Sequence, residues 1–343
     1  MSIVLVAMSG GVDSSVAAAL LHEQGHTVIG IHMKLHEQGP VGNANPKSCC
    51  GTQDALDARK VAEKMGFLYD VVDLQDSFKK AVLDNFVSEY KAGRTPIPCT
   101  HCNGSLKFDL LFKYADILRC DFIATGHYAV VTQGSLHASP NPDKDQSYFL
   151  WNMLPDRVAR VMFPVGAMSK DDVRQHAIRL GLVTAHKPES QDLCFIPNGT
   201  VGDFLKGKVE DSSGDIFDTM TQKVVGKHHG THNFTIGQRR GLGVSVGYPA
   251  YVSHIDPVTK RVTLAPWEEI LKETFTISGE NWFERGTEML VRVRVTAWAA
   301  LNAVTDYVDH HSIARRGQET SAESMMFGTK AECKTRALDL LLA

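Results

Sequence analysis

The apolar run Ile3 to Met8 is followed at once by Ser9-Gly10-Gly11-Val12-Asp13-Ser14 and then by the helically spaced Val16, Ala17, Leu20 and Leu21. A strand, a glycine turn and a helix in that order leave few options for the fold. Gly10 and Gly11 can adopt backbone angles closed to other residues, so successive N–H groups can converge on an anion at the helix N-terminus. Asp13 and Ser14 add polar side chains at the same point. The loop lacks the Lys-Ser/Thr ending of a Walker A motif, which excludes that type of ATP site and leaves a phosphate cradle of another kind.

The pattern then repeats. A first helix ends near Gly25, Thr27 to Met33 reads as a strand, Gln53 to Met65 as a helix closed by Gly66, and Leu68 to Val72 as a strand. Helical spacing returns at Phe78, Val82, Phe86 and Tyr90 and again from Asn103 to Leu118, before a strand Phe122 to Thr125 that runs into Gly126-His127-Tyr128. Alternating strands and helices predict an α/β fold with a parallel sheet covered on both faces. Ligands in such sheets sit beyond the carboxyl ends of the strands, so the loops after Met8, Met33 and Thr125 should converge on one crevice. Ser169 reads as the N-cap of a further helix, with Asp172 completing the capping box and Gly181 ending it. Past about Gly202 the texture changes to short β-like runs such as Ala250 to Ile255, Arg261 to Leu264 and Leu290 to Val295, which places a domain boundary there.

A chain of 343 residues that is 43% hydrophobic can bury two or three domain cores. It has no run approaching a membrane span, and Met1-Ser2-Ile3 enters a strand without a basic leader, so a cytoplasmic protein with no membrane partner is expected. The net charge of −3 means that any polyanion site must be local. The stretch from Thr219 to Ile255 is a candidate: it carries Lys223, Lys227, Arg239, Arg240, His228, His229, His232 and His254 and no acidic residue.

The chain has seven cysteines, which in this setting argue for catalytic or metal roles rather than a disulfide framework. Pro96-Ile97-Pro98-Cys99-Thr100-His101-Cys102-Asn103 is a proline-set turn expected to deliver two thiols just before a helix, where the helix N-terminus would acidify them. Cys194 lies in the polar loop Glu189 to Phe195, with Lys187 nearby to favour its thiolate. Cys120 reads as a packed thiol, and Cys49-Cys50 with Cys99 and Cys102 as an alternative zinc set of poor geometry.

Taken together these motifs resemble a known family. The first loop looks like the PP-loop of ATP pyrophosphatases. Ser9 to Ser14, Cys49-Cys50 before Asp57-Ala58-Arg59, Pro98 to Asn103, Lys107-Phe108, Thr125 to Tyr128, Asp145 to Leu150, Ser190 to Phe195 and Thr235 to Gly243 resemble, in that order, the tRNA-specific 2-thiouridylases of the MnmA family. The resemblance implies three parts: a PP-loop ATP pyrophosphatase domain over 1–202, a small central β-rich tRNA-contacting domain over 203–278, and a β-barrel-like C-terminal domain over 279–343. It implies ATP-dependent 2-thiolation of the wobble uridine, by adenylation of the base and sulfur transfer from a cysteine persulfide, with ATP and Mg2+ as cofactors. The partners implied are tRNA and a persulfide donor such as a cysteine desulfurase or sulfur relay protein. Carried over residue by residue, Ala7, Met8, Ser9, Gly10, Gly11, Val12, Asp13, Ser14, Met33 and Gly126 match the ATP pocket. Cys102 matches the nucleophile and Cys194 the persulfide carrier. Ile97, Pro98, Cys99, His127, Lys144, Asp145 and Gln146 match tRNA contacts.

Two departures stand out. Many family members carry Asp where this chain has Cys99. The resulting set Cys99, Cys102 and Cys194 resembles the iron–sulfur ligands of related thiolases and makes a cluster an alternative. After about Val295 the chain reads Ala297-Trp298-Ala299-Ala300, His310-His311 and Lys330 to Ala343, without the family's Gly-rich closing strands, as a divergent or frame-shifted tail would. An adenylating ligase acting on a small substrate and a non-catalytic tRNA-binding or sulfur-carrying protein stay open as rival readings.

Overall fold

A computed structural model of the chain describes residues 1–36, 52–189, 193–196, 200–210 and 213–271, together with the backbone of four short strand pieces at 276–277, 280–282, 313–315 and 320–321. Cys49, Cys50, Cys333, the run Leu290 to Val295 and the unusual tail lie outside the described residues.

Five strands, β1 (Ile3–Ala7), β2 (Thr27–Lys34), β3 (Leu68–Asp73), β4 (Phe122–Ala124) and β7 (Val161–Met162), make a sheet in the order β3-β2-β1-β4-β7. Every pairing in it is parallel. The hairpin β5 (Ala129–Thr132) and β6 (Ser135–Ala138) leaves the sheet after β4, turning on Gln133 and Gly134, both at positive φ. From β1 the chain steps outward to β2 and β3 and then crosses back to lay β4 on the other side of β1. The order reverses between β1 and β4, and the loops that follow those two strands frame the crevice.

Strand parity decides what each face buries. Val4 and Val6 point into one core with Val16, Ala17 and Leu21 of α1 (Val12–Glu23), Val61 of α2 (Thr52–Met65), and Val173 and Ala177 of the helix Lys170–Arg179. Leu5 points the other way, onto Leu111, Phe112 and Ala115 of the helix spanning 98–117. Gly25, Gly66 and Gly181 each take a positive φ just beyond a helix end, the backbone state that stops an α-helix and that glycine adopts without strain. Ser169 and Asp172 form a reciprocal capping box at 3.1 Å and 3.2 Å.

A third core lies beyond the carboxyl edge of the sheet. Phe78 and Phe86 of the helix spanning 75–91 meet Phe195 edge-on at centroid distances of 5.9 and 5.2 Å, and Phe204 closes against Phe195 at 5.2 Å. A smaller unit follows: a four-stranded sheet in the order β10-β11-β8-β9, built from β8 (Gly214–Asp218), β9 (Lys223–His228), β10 (Ala250–Asp256) and β11 (Arg261–Pro266). It meets the first unit where Thr95 and Thr235 hydroxyls stand 3.1 Å apart. Two of the histidines in its acid-free stretch are core residues rather than surface: His228 is 5% and His232 8% exposed. Among the described residues no helix is long and apolar enough to cross a membrane.

Candidate active site

The loop after β1 is set by one glycine that no other residue could replace. Gly10 has φ +78°, and a Cβ built there would lie 2.2 Å from the carbonyl oxygen of Asp54 at the start of α2. Gly11 then caps α1 in an extended conformation with no side-chain cap, so the first amides of α1 face the crevice. Ser14 braces the loop from within: its hydroxyl accepts the Ser9 N–H at 3.1 Å and lies 3.2 Å from the Gly11 carbonyl oxygen.

The loop after β4 packs directly on this turn. A Cβ on Gly126 would fall 2.5 Å from the Ser14 nitrogen, so glycine there lets two strand-end loops touch. Together they enclose a cleft of about 280 Å³. Its walls include Ala7, Met8, Ser9, Gly11, Val12, Asp13, Ser14, Met33, Gly126, His127, Lys144 and Gln146. Every nucleotide residue expected from the sequence lines it except Gly10, which turns away to pack on α2.

Charge in the cleft is paired across long sequence distances. Lys170 Nζ donates to both carboxylate oxygens of Asp13 at 2.8 Å, the Tyr128 hydroxyl donates to the same carboxylate at 2.7 Å, and Lys144 donates to Glu189 at 2.9 Å. Tyr128 is pushed well above its ordinary value by burial and by the Asp13 carboxylate, so it stays a donor. His127 accepts or shares a proton with Thr125 Oγ1 at 2.6 Å, and burial, helped by Lys107, pulls its pKa down to about 3. It is therefore a neutral imidazole at neutral pH. Asp145 does not line the cleft; it caps its own turn by accepting the N–H groups of Ser139 and Ser147 at 3.0 and 3.1 Å.

The sulfur residues sit one layer away. Pro98 occupies the first turn of the helix, so Cys99 and Cys102 stand inside its opening turns and not ahead of it. Cys99 is exposed, whereas Cys102, 6% exposed, belongs to the phenylalanine core around Phe78 and Phe86, and Cys194 packs against that same core. Met33 packs on that core and Leu35 belongs to it, and both also line the cleft, so these two side chains are the partition between the crevice and the two cysteines. Cys120 is buried, which raises its thiol pKa and suits it to packing.

Among the described residues no group of three or more His, Cys, Asp or Glu side chains is placed to hold a metal ion, from Cys99, Cys102 and Cys194 or elsewhere. Two expectations need correction. Lys187 does not serve Cys194. Its ammonium donates to Asp54 at 2.6 Å, to Asp57 at 2.8 Å and to the Gly10 carbonyl at 3.0 Å, pinning the glycine loop to α2 from beneath. Asp13 and Ser14 are loop braces as well as cleft residues. Lys170, Lys187 as a brace, and Glu189 were invisible to motif reading, because their partners lie 157, 133 and 45 residues away.

A glycine turn between a central parallel strand and a helix, at the reversal of strand order and without a Walker lysine, defines an α/β nucleotide-binding domain of the PP-loop class. The family profile described as tRNA methyl transferase HUP domain matches residues 2–198, and that of the tRNA methyl transferase PRC-barrel domain matches 202–266. A profile for a domain of unknown function, DUF932, matches 260–326. The tRNA-specific 2-thiouridylase MnmA of Rickettsia africae is 41% identical over 320 residues, covering 90% of this chain and 87% of that protein. Its counterpart in Geobacter metallireducens is 43% identical over 291 residues, covering 81% and 78%. Among solved structures, a 4-thiouridine synthetase in complex with RNA and bound ATP aligns with 61% of this chain and 51% of its own at 17% identity and a TM-score of 0.38, too remote to bear on function. The chain belongs to the MnmA family of tRNA-specific 2-thiouridylases.

Proposed function

We propose that this chain catalyses ATP-dependent 2-thiolation of tRNA uridine in the cytoplasm, at the wobble position, acting as a tRNA-uridine 2-sulfurtransferase. The observation that carries the reading is the partition: a phosphate-type cleft on one side of Met33 and Leu35, and two cysteines sharing an apolar core on the other. In this reading the amides at the start of α1 hold the leaving pyrophosphate while the base oxygen O2 attacks the α phosphorus. Lys170 already neutralises Asp13, so Mg2+ would be brought by the nucleotide and supply charge stabilisation for the leaving pyrophosphate. His127, Lys144 and Gln146 at the cleft receive the splayed anticodon base, with Ile97 and Pro98 at the start of the cysteine helix as further tRNA contacts. Sulfur arrives as a persulfide on Cys194 from a donor protein, and Cys102 displaces it by thiol–disulfide exchange. Methyl transfer, the activity named in the matched profiles, needs neither a pyrophosphate-binding loop nor this cysteine pair.

The test is pyrophosphate release by the purified protein with and without a uridine-34 tRNA transcript, alongside thionucleoside analysis of tRNA from cells deleted for their own enzyme. Thiouridine that depends on Cys102 and on Cys194, with persulfide labelling lost only in Cys194→Ser, is the expected result. Pyrophosphate release that ignores tRNA, with no thiouridine formed, would replace this reading by a ligase acting on a small substrate.

A further inference from the structure

We propose that Cys99 is a resolving thiol: it moves the disulfide left by each turnover from the buried core to the protein surface. The inference rests on the sulfur-transfer reading above and assigns a step that reading leaves open. Cys102 is 6% exposed among phenylalanines, while Cys194 is only partly buried against the same core, so the Cys102 sulfur of a disulfide between them is shielded from a protein-sized reductant. Cys99 is exposed and three positions ahead of Cys102 on a single helical run that Pro98 starts. Helix geometry places residues three apart on one face with Cα atoms about 5 Å from each other. That separation lies inside the roughly 4.4–6.8 Å that a disulfide spans. The helix also changes character at Cys102, where a π-type turn covering Cys102–Phe108 begins, a feature frequent at functional sites.

The steps balance. The Cys102 thiolate attacks the Cys194 sulfur of the persulfide, forming the Cys102–Cys194 disulfide and expelling hydrosulfide, which goes to the adenylated base. The Cys99 thiolate then attacks the Cys102 sulfur, forming a Cys99–Cys102 disulfide and releasing the Cys194 thiolate for reloading. A protein dithiol of the thioredoxin class supplies the two electrons, reduces the exposed Cys99–Cys102 bond and leaves oxidised.

The experiment uses the full chain loaded with glutathione persulfide, taken through one turnover with ATP and tRNA transcript without reductant, then acid-quenched, alkylated and mapped by non-reducing peptide mass spectrometry. The wild type is expected to carry a Cys99–Cys102 link with Cys194 alkylated, and Cys99→Ser a Cys102–Cys194 link. In multiple turnover driven by thioredoxin, Cys99→Ser is expected to stall after the first thiouridine per enzyme and to resume when a small phosphine reductant is added. A wild type that accumulates Cys102–Cys194 with Cys99 alkylated overturns the relay. Every cysteine alkylated and no thiouridine in either protein overturns the sulfur-transfer reading, and the relay with it.

Discussion

Removing the charge beneath the glycine loop should be among the most costly single changes outside the cysteines. Lys187 is held by Asp54 and Asp57, and the three side chains are 19%, 7% and 16% exposed. Burial works against its charge, but the two carboxylates outweigh burial and raise its pKa. Replacing one partner of a buried ion pair costs about 3–5 kcal/mol, because the remaining charge is left uncompensated. Both carboxylates lie in the first two turns of α2, where the helix dipole returns roughly 0.5 kcal/mol each. The estimate for Lys187→Met is therefore about 3 kcal/mol, or on the order of 100-fold in the opening equilibrium of the loop. Because the loop's Gly10 carbonyl loses its donor as well, ATP affinity should fall with it. Urea unfolding and ATP titration of wild type, Lys187→Met and Lys187→Arg measure this, and Asp57→Asn in the Met background should recover a large part of the loss. The raised lysine pKa means its contribution is complete below the unfolded value near about 10.4 and is lost only as pH climbs through the folded one, so the deficit should be constant from pH 6 to 9. A Lys187→Met protein within about 0.5 kcal/mol of wild type would show that the triad behaves as an ordinary surface pair and refute the argument.

Gly10→Ala should destabilise by at least about 3 kcal/mol, from left-handed strain plus collision with the Asp54 backbone, whereas Gly66→Ala, at φ +81° with open space around it, should cost only about 1 kcal/mol; urea midpoints compare them. His127, with a folded pKa of about 3, takes up its proton more readily in the unfolded chain, so its contribution is present above pH 6.5 or so and lost as pH falls toward 3. Stability should drop below pH 6.5 at up to about 1.4 kcal/mol per pH unit from this group, and His127→Gln should flatten that slope. Arg179 and Glu23, paired at 2.6 Å but 50% and 36% exposed, form a solvent-screened bond, and Glu23→Ala should leave the unfolding midpoint unmoved.

What the sequence made legible was local chemistry. The glycines that close helices, the Ser169/Asp172 capping box and the strand before Ser9 announce themselves within a few residues, and the structure realises each. The crevice followed from one topological rule applied to three strand ends. The hairpin after β4 turns on Gln133-Gly134, a readable turn pair, but its short strands give too little alternation to stand out. The ion pairs that organise the site are different in kind. Lys170 is an unremarked first helical residue, and Lys187 sits beside a cysteine that invites a thiolate role; only the fold brings each to a carboxylate more than a hundred residues away. The segment Pro96 to Cys102 reads as a loop ahead of a helix, whereas Pro98 starts the helix and carries Cys99 and Cys102 into its first turns.

The anchorage of Lys187 also bounds the reach of Cys194. Cys194 follows it by seven positions, and an extended chain gains at most about 3.6 Å per residue, so the Cα of Cys194 can never be more than about 25 Å from that of the pinned lysine. In the sulfur-transfer reading proposed above, loading from a donor and delivery to the base both take place inside that sphere, centred beside the glycine loop.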